Sequence, residues 1–205
     1  SRDHRVRRRI ILASASPRRR ELLSQVGIPF EVIPADVPEQ GRPETDPCEL
    51  ARTLALEKAQ ATAARIDDGL VLGADTIVVL DSRILGKPAD AEDARAMLRA
   101  LSGCTHQVIT GVVLIDRQHG ETVATDVAHA VTDVTFLPWS DEAIDAYVAT
   151  GEPLDKAGAY AIQGYAAVLI EGICGCYFNV VGLPLAVVAR MLRARGVPVN
   201  PAPLA

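Results

Sequence analysis

Between Leu70 and Leu80 the chain reads Leu-Val-Leu-Gly-Ala-Asp-Thr-Ile-Val-Val-Leu, and Asp75 is the only charge in that run. A nearly unbroken apolar segment of this kind predicts a strand covered on both faces. An ionised carboxylate in its middle is costly unless a cation or hydrogen bonds compensate it. Something positive must therefore sit opposite Asp75, which becomes a candidate metal ligand or general base. The competing reading is a strand aspartate that bonds to neighbouring backbone.

Candidate cations are at hand. At about 100° per residue, Lys58 projects within roughly 40° of Leu54 and close to Ala51, on the apolar side of its helix. It points inward, although a lysine can also run along the core edge to reach water. Lys87 stands between Gly86 and Pro88 in a turn that can approach a ligand closely. Arg18, Arg19 and Arg20 crowd the first turn of a helix, where the dipole disfavours cations and favours an anion. A bound anion offsets that repulsion, and these cations together with Lys58 and Lys87 suit a triphosphate. Asp75 with a second carboxylate such as Glu39 would hold the magnesium that travels with it. Neither Gly-x-x-x-x-Gly-Lys-Ser/Thr nor Gly-x-Gly-x-x-Gly after a strand occurs, so the chain is neither an ordinary P-loop enzyme nor a dinucleotide-binding oxidoreductase.

The elements that must carry these groups can be read from their ends. A short strand, Ile10 to Ala13, stops at Ser14; Ser16 caps a helix that Pro17 opens and that runs to about Val26, with Gly27 beyond it. A second helix is expected from about Glu49 to Arg65, after an irregular proline-rich stretch from Pro34 to Pro47. Asp90 caps a third from Ala91 to Leu101. Strands follow over Gln107 to Ile115 and Thr122 to Leu137, then a helix capped by Ser140. A further strand is expected between Tyr160 and Ile170, and a last helix from Leu185 to Arg195. Strands alternating with helices, plus a stretch of hairpins, predict a mixed α/β sheet.

Bulk properties narrow the classes. With 205 residues, 49% of them hydrophobic, the chain can build a core without staples, and a net charge of −5 argues against stable nucleic-acid binding. Cys48, Cys104, Cys174 and Cys176 lack disulfide or zinc spacing, which predicts reduced thiols in a cytoplasmic protein. No secretory signal is evident. The uncharged stretch Gly172 to Ala189 is broken by Gly175, Asn179, Gly182 and Pro184, so no membrane span is expected. A single domain over 1–205 follows, with a basic arm over 1–9 read as a solvated terminus and a proline-rich tail over 197–205.

Several motifs stand in order: Leu12-Ala13-Ser14-Ala15-Ser16-Pro17-Arg18-Arg19, Gly73-Ala74-Asp75-Thr76, Gly86-Lys87-Pro88, Asp155-Lys156-Ala157-Gly158-Ala159-Tyr160, Ile162-Gln163-Gly164 and Asn179-Val180-Val181-Gly182-Leu183-Pro184. In these the chain resembles the Maf family of nucleotide pyrophosphatases. The resemblance implies a long twisted mixed sheet with two lobes around a cleft, like that of the inosine triphosphate pyrophosphatases, and a homodimer. It implies hydrolysis of a nucleoside triphosphate to monophosphate and pyrophosphate with Mg²⁺ or Mn²⁺. By motif position, Asp75 takes the proton-acceptor role. Ser14, Arg18, Arg19, Glu39, Lys58 and Lys87 fall where the family lines its phosphate and metal site.

Arg18, Thr76 and Gln163 match the branch that prefers dTTP and UTP; the 7-methyl-GTP branch has tryptophan, glutamine and glutamate there. A neutral Gln163 offers a donor and an acceptor to a pyrimidine edge. The turn Asp81-Ser82-Arg83 lacks the glycine expected in the family. A non-catalytic nucleotide-binding regulator of septum formation is the rival reading, and house-cleaning of modified nucleotides a third.

Overall fold

The structure is a computed structural model that describes residues 8–38 and 46–200. Its helices begin where side chains satisfy their free N–H groups. Ser16 accepts the Arg19 N–H and Pro17 follows, giving α1 (Pro17–Gln25), and Gly27 lies beyond it at φ 71°. Asp46 caps α2 (Pro47–Ala63), which starts and ends two residues ahead of the expected span because cap and proline both precede Glu49. Asp90 caps α3 (Ala91–Leu101) and Ser140 caps α4 (Asp141–Ala149). A short α5 (Tyr177–Val181) and α6 (Leu185–Ala194) close the chain.

The strands are β1 (Ile10–Leu12), β2 (Glu31–Val32), β3 (Gly69–Leu80), β4 (Arg83–Leu85), β5 (Thr105–Gln118), β6 (Glu121–Phe136) and β7 (Ile170–Cys174). They form one mixed seven-stranded sheet in the order β2-β1-β3-β5-β6-β7, with β4 also on β3. The β1–β2 and β1–β3 pairs are parallel, and the other pairs are antiparallel. The strand expected between Tyr160 and Ile170 is instead a turn and a 3-10 segment, Tyr165–Leu169, with β7 beginning only at Ile170. There Tyr160 and Ala166 are buried anchors six positions apart, not the alternating set that a sheet requires. Asp81 and Ser82 turn β3 into β4 with φ of 47° and 67°, so the left-handed turn is made without the glycine.

β3 is buried on both faces along nearly its whole length, and its alternating side chains assign each face. Val71, Val113 and Ile115 point with Ile11 and Ala13 to Ala55, Ala59 and Ala63 of α2. On the other face Leu70, Leu72, Ala74, Val112 and Leu114 make a core with α1 and α6, while Val78, Leu80, Val108, Val134 and Phe136 make a second with α3 and α4. Between these two cores the same face is polar, carrying the buried Thr110 and Thr132 with Asn179 over them.

Of the expected basic arm, Arg8 donates to Asp116 at 2.6 Å and Arg9 to Glu31 at 2.7 Å. Residues 1–7 and 201–205 lie outside the described residues.

One buried group ties the second core to pH. His106 is 1% exposed, 2.6 Å from the Tyr160 hydroxyl, and burial lowers its pKa from 6.5 to about 4. Below pH 6.5 the unfolded chain takes up a proton that the folded chain refuses until about pH 4. Stability is therefore complete above pH 6.5 and falls on the order of 3 kcal/mol by pH 4 from this group. Urea denaturation from pH 7 to pH 4 should show a shallower acid decline for His106→Gln than for the parent chain; equal slopes would exclude the assignment.

Candidate active site

A break in one edge of β3 creates the site. On the side away from β5, β1 covers Leu70–Leu72 and β4 covers Val78–Leu80. Gly73 to Ile77 have no strand on that side among the described residues, and Asp75 and Thr76 lie in the notch. The carboxyl end of β1, from Ala13 to Ser16, opens at the same place, where parallel strands commonly hold ligands.

Asp75 projects to the face covered by α2, where Lys58 Nζ donates to its Oδ1 at 2.5 Å. Their side chains are 14% and 23% exposed, so the pair borders solvent without being immersed in it. The short distance depends on small residues. A Cβ on Gly111, the β5 partner of Asp75, would overlap the Ala51 carbonyl, and one on Gly73 would lie 2.7 Å from the Ala55 carbonyl. Glycine on the sheet and the stripe Ala51, Ala55, Ala59 on α2 thus bring helix and strand backbones together, and Lys58 reaches the carboxylate.

Thr76 projects to the opposite face. Its Oγ1 accepts from Arg19 Nη2 at 3.0 Å and lies 2.8 Å from Thr110 Oγ1, which donates to the Asn179 carbonyl at 3.3 Å. Arg19 also donates through Nε to the Gly182 carbonyl at 2.8 Å and through Nη1 to Ser14 Oγ at 3.4 Å. Burial lowers the Arg19 pKa, the charge of Asp75 raises it and that of Arg18 lowers it again. Ser14 Oγ accepts the Ser16 N–H at 3.1 Å, which locks the loop into α1.

The second core supplies the facing wall. Asp155 is held below the usual carboxylate range first by its hydrogen bond from Lys156, with the Lys156 and Arg18 charges adding. The charge of Arg18 on α1 is thus felt in the segment that follows α4. The Gly158 N–H donates to the Gly86 carbonyl at 3.2 Å, which docks that segment against the exposed Lys87 turn. Gln163 is exposed on a turn of the same wall. Glu39 lies outside the described residues.

Thr110 and Asn179 went unassigned in the sequence although they fix Thr76. Asn179 is fully buried and its Nδ2 donates to the Val108 carbonyl and Thr132 Oγ1, tying α5 across β5 and β6. The available signal was a threonine interrupting Val108-Ile109 and Val112-Val113.

Among the described residues no group of three or more His, Cys, Asp or Glu converges as a metal cage. A magnesium-type ion suits the arrangement better, since it uses one or two carboxylates and completes its shell with substrate phosphates and water. Lys58 engages Oδ1 of Asp75, and Oδ2 accepts no hydrogen bond from the described residues.

A mixed sheet whose broken edge sets a carboxylate–lysine pair beside helix-N-terminal arginines defines an α/β protein with its charged groups gathered at that edge. The chain belongs to the Maf-like protein family, whose model matches residues 9–195. It is 54% identical over 188 residues to the dTTP/UTP pyrophosphatase of Geobacter sulfurreducens, spanning 92% of this chain and 97% of that one. Against the dTTP/UTP pyrophosphatase of Symbiobacterium thermophilum the identity is 55% over 190 residues, 93% and 95% of the two chains. A solved HAM1 protein from Coxiella burnetii shares the fold, with a TM-score of 0.51 and 17% identity over 91% of this chain and 98% of that one.

The helix–sheet approach is open to test. Gly111→Ala and Gly73→Ala should each cost about 1–3 kcal/mol through overpacking. Gly86→Ala, whose Cβ would meet nothing within 4 Å, is the control. Urea midpoints for all three equal to that of the parent would contradict the close approach.

Proposed function

We propose that this chain hydrolyses nucleoside triphosphates, dTTP and UTP foremost, to the nucleoside monophosphate and pyrophosphate. The observation that carries the reading is Asp75, held by Lys58 in the notch of β3 and followed directly by the Thr76 that anchors Arg19. The names of the relatives support the same substrates.

In this mechanism the Lys58 bond fixes the orientation of Asp75, so that Oδ2 receives the proton of a water aimed at the α-phosphorus. The water oxygen bonds to phosphorus as the bond to the bridging oxygen of the pyrophosphate breaks. Arg18, Arg19, Lys58 and Lys87 stabilise the charge gathering on the leaving group, and Ser14 offers its hydroxyl to a phosphate oxygen. Asp75, with Glu39 as the second carboxylate, would hold Mg²⁺ or Mn²⁺, which when bound neutralises triphosphate oxygens. Gln163 faces the nucleobase, and Thr76 sets Arg19 beside Arg18 at the phosphates. The two cores on one face of the sheet act as the two lobes that enclose the nucleotide. All four cysteines are free thiols, which supports a cytoplasmic location. No helix among the described residues is long and apolar enough to cross a membrane.

Pyrophosphate release from a panel of nucleoside triphosphates, with and without Mg²⁺, tests the reading. Hydrolysis of dTTP and UTP should need the metal, and Asp75→Asn should lower kcat on the order of 10²–10⁴-fold. Lys58→Ala and Lys87→Ala should lower it on the order of 10²–10³-fold. Full activity in folded Asp75→Asn would overturn the base assignment, and activity confined to purines would overturn the roles of Arg18, Thr76 and Gln163. A chain that binds these nucleotides without hydrolysing any would favour the septum-regulator reading.

A homodimer is part of the proposal. Val123, Val127 and Val131 are 53%, 46% and 39% exposed along the α2-side face of β6, and β7 pairs only with the end of that strand, Asp133–Phe136. Such an apolar stripe on a long edge strand invites a second copy. Sedimentation should give a dimer for the parent chain and a folded monomer for Val127→Glu; an unchanged dimer would place the contact elsewhere.

A further inference from the structure

Gln163 occupies the third position of a tight turn, Ala161 to Gly164, closed by the Gly164 N–H donating to the Ala161 carbonyl at 3.1 Å. Both ends of this turn are held by groups in and just after the last turn of α4 that the hydrolytic mechanism does not use. At one end the Tyr147 hydroxyl, in a residue only 4% exposed, accepts the Ala161 N–H at 3.0 Å. At the other, the Glu152 carboxylate packs so closely on Gly164 that a Cβ there would overlap Oε1 and Cδ. Burial, and next the neighbouring Glu152 carboxylate, push the Tyr147 phenol above its ordinary range. The hydroxyl thus keeps its proton while it accepts from the Ala161 N–H.

Glu152 is itself anchored by its backbone: its N–H donates to Thr150 Oγ1 at 3.2 Å and its carbonyl accepts from Lys156 Nζ at 3.0 Å. Its Oε2 is buried without a hydrogen-bond partner among the described residues, which is costly. Departures of this kind concentrate where function constrains the chain.

A glutamine amide carries both a donor and an acceptor, and a half-turn about its last bond exchanges them. The imide edge of uracil or thymine and the amino edge of cytosine can therefore both be satisfied by a mobile glutamine. Discrimination has to come from how firmly the turn presents the amide.

We infer that Tyr147 and Glu152 are positioning residues that hold the 161–164 turn and so give Gln163 its preference for an imide-bearing pyrimidine over cytosine. The inference rests on the proposal that Gln163 meets the nucleobase. Tyr147 and Glu152 touch neither the reacting phosphate nor the base, and act through the turn.

Steady-state kinetics with UTP and CTP test it on the full chain. Tyr147→Phe and Glu152→Ala should each raise KM for UTP about tenfold with kcat nearly unchanged, and lower the UTP-to-CTP ratio of kcat/KM by about the same factor. Glu152→Gln, which keeps nearly the same shape against Gly164, should restore most of the preference. Adding Tyr147→Phe to Gln163→Ala should change the ratio no further, because the lost interaction is shared. Gly164→Ala, whose Cβ would displace the Glu152 carboxylate, should reproduce the loss and serves if Tyr147→Phe does not fold. Equal losses with UTP and CTP, or additive effects with Gln163→Ala, would overturn the positioning role. An unchanged UTP-to-CTP ratio in Gln163→Ala alone would instead overturn the base-contact reading beneath it, and the two failures are separable in one data set.

Discussion

The site depends on how closely α2 lies on the sheet. Helix and sheet normally pack through side chains, but here Gly73 and Gly111 leave no side chain between, and Ala51, Ala55 and Ala59 add only methyl groups. Backbone meets backbone, so the side chain of Lys58 is long enough to reach Asp75 in the sheet. Without that approach, β3 would carry a carboxylate with no cation beside it in a face otherwise filled by Val71, Ile77 and Val79, at a free-energy cost no single strand bears easily. The close packing and the charge pair thus require each other.

Strand alternation then distributes the chemistry. Because successive side chains point to opposite faces, Asp75 turns toward α2 while Thr76 turns toward the two cores on the other side. The face that Thr76 joins is apolar at both ends and polar in the middle, where Thr110, Thr132 and Asn179 bridge β5, β6 and α5. Apolar burial on either side of a polar seam makes two lobes joined by one sheet. Arg18 and Arg19 come from one side and the wall from Asp155 to Gln163 from the other. The positive end of α1, already crowded with guanidiniums, faces the notch that β1 and β4 leave open. Electrostatics and sheet topology therefore converge on one place, which a bound anion would satisfy.

Much of this was legible in the amino-acid sequence. Capping chemistry is local, so Ser16-Pro17, Asp90 and Ser140 set their helix starts where the sequence predicts them. The buried charge in Leu70–Leu80 announced itself through the contrast with its neighbours, and helical periodicity already turned Lys58 inward. From Tyr160 to Ile170 the sequence predicts a strand where the structure has turns, because the apolar residues there anchor successive turns and composition does not separate those from an alternating pattern. Asp46 and Pro47 began α2 earlier than the apolar stripe suggested, since a cap acts before the stripe starts.

The sequence by itself determined which side chains could bear charge in an apolar setting, which helix ends would favour an anion, and the order of the motifs along the chain. Only the tertiary structure decided which cation meets which carboxylate. Periodicity gives a direction around a helix axis, not a distance to the next element, and that distance is set by glycines on β3 and β5, 15 and 53 positions from Lys58 in the chain. The same holds for the contacts of Gly164 with Glu152 and of Ala161 with Tyr147. Nothing in the residue types pairs them, because they meet only where the end of α4 and the turn carrying Gln163 are packed together by the second core.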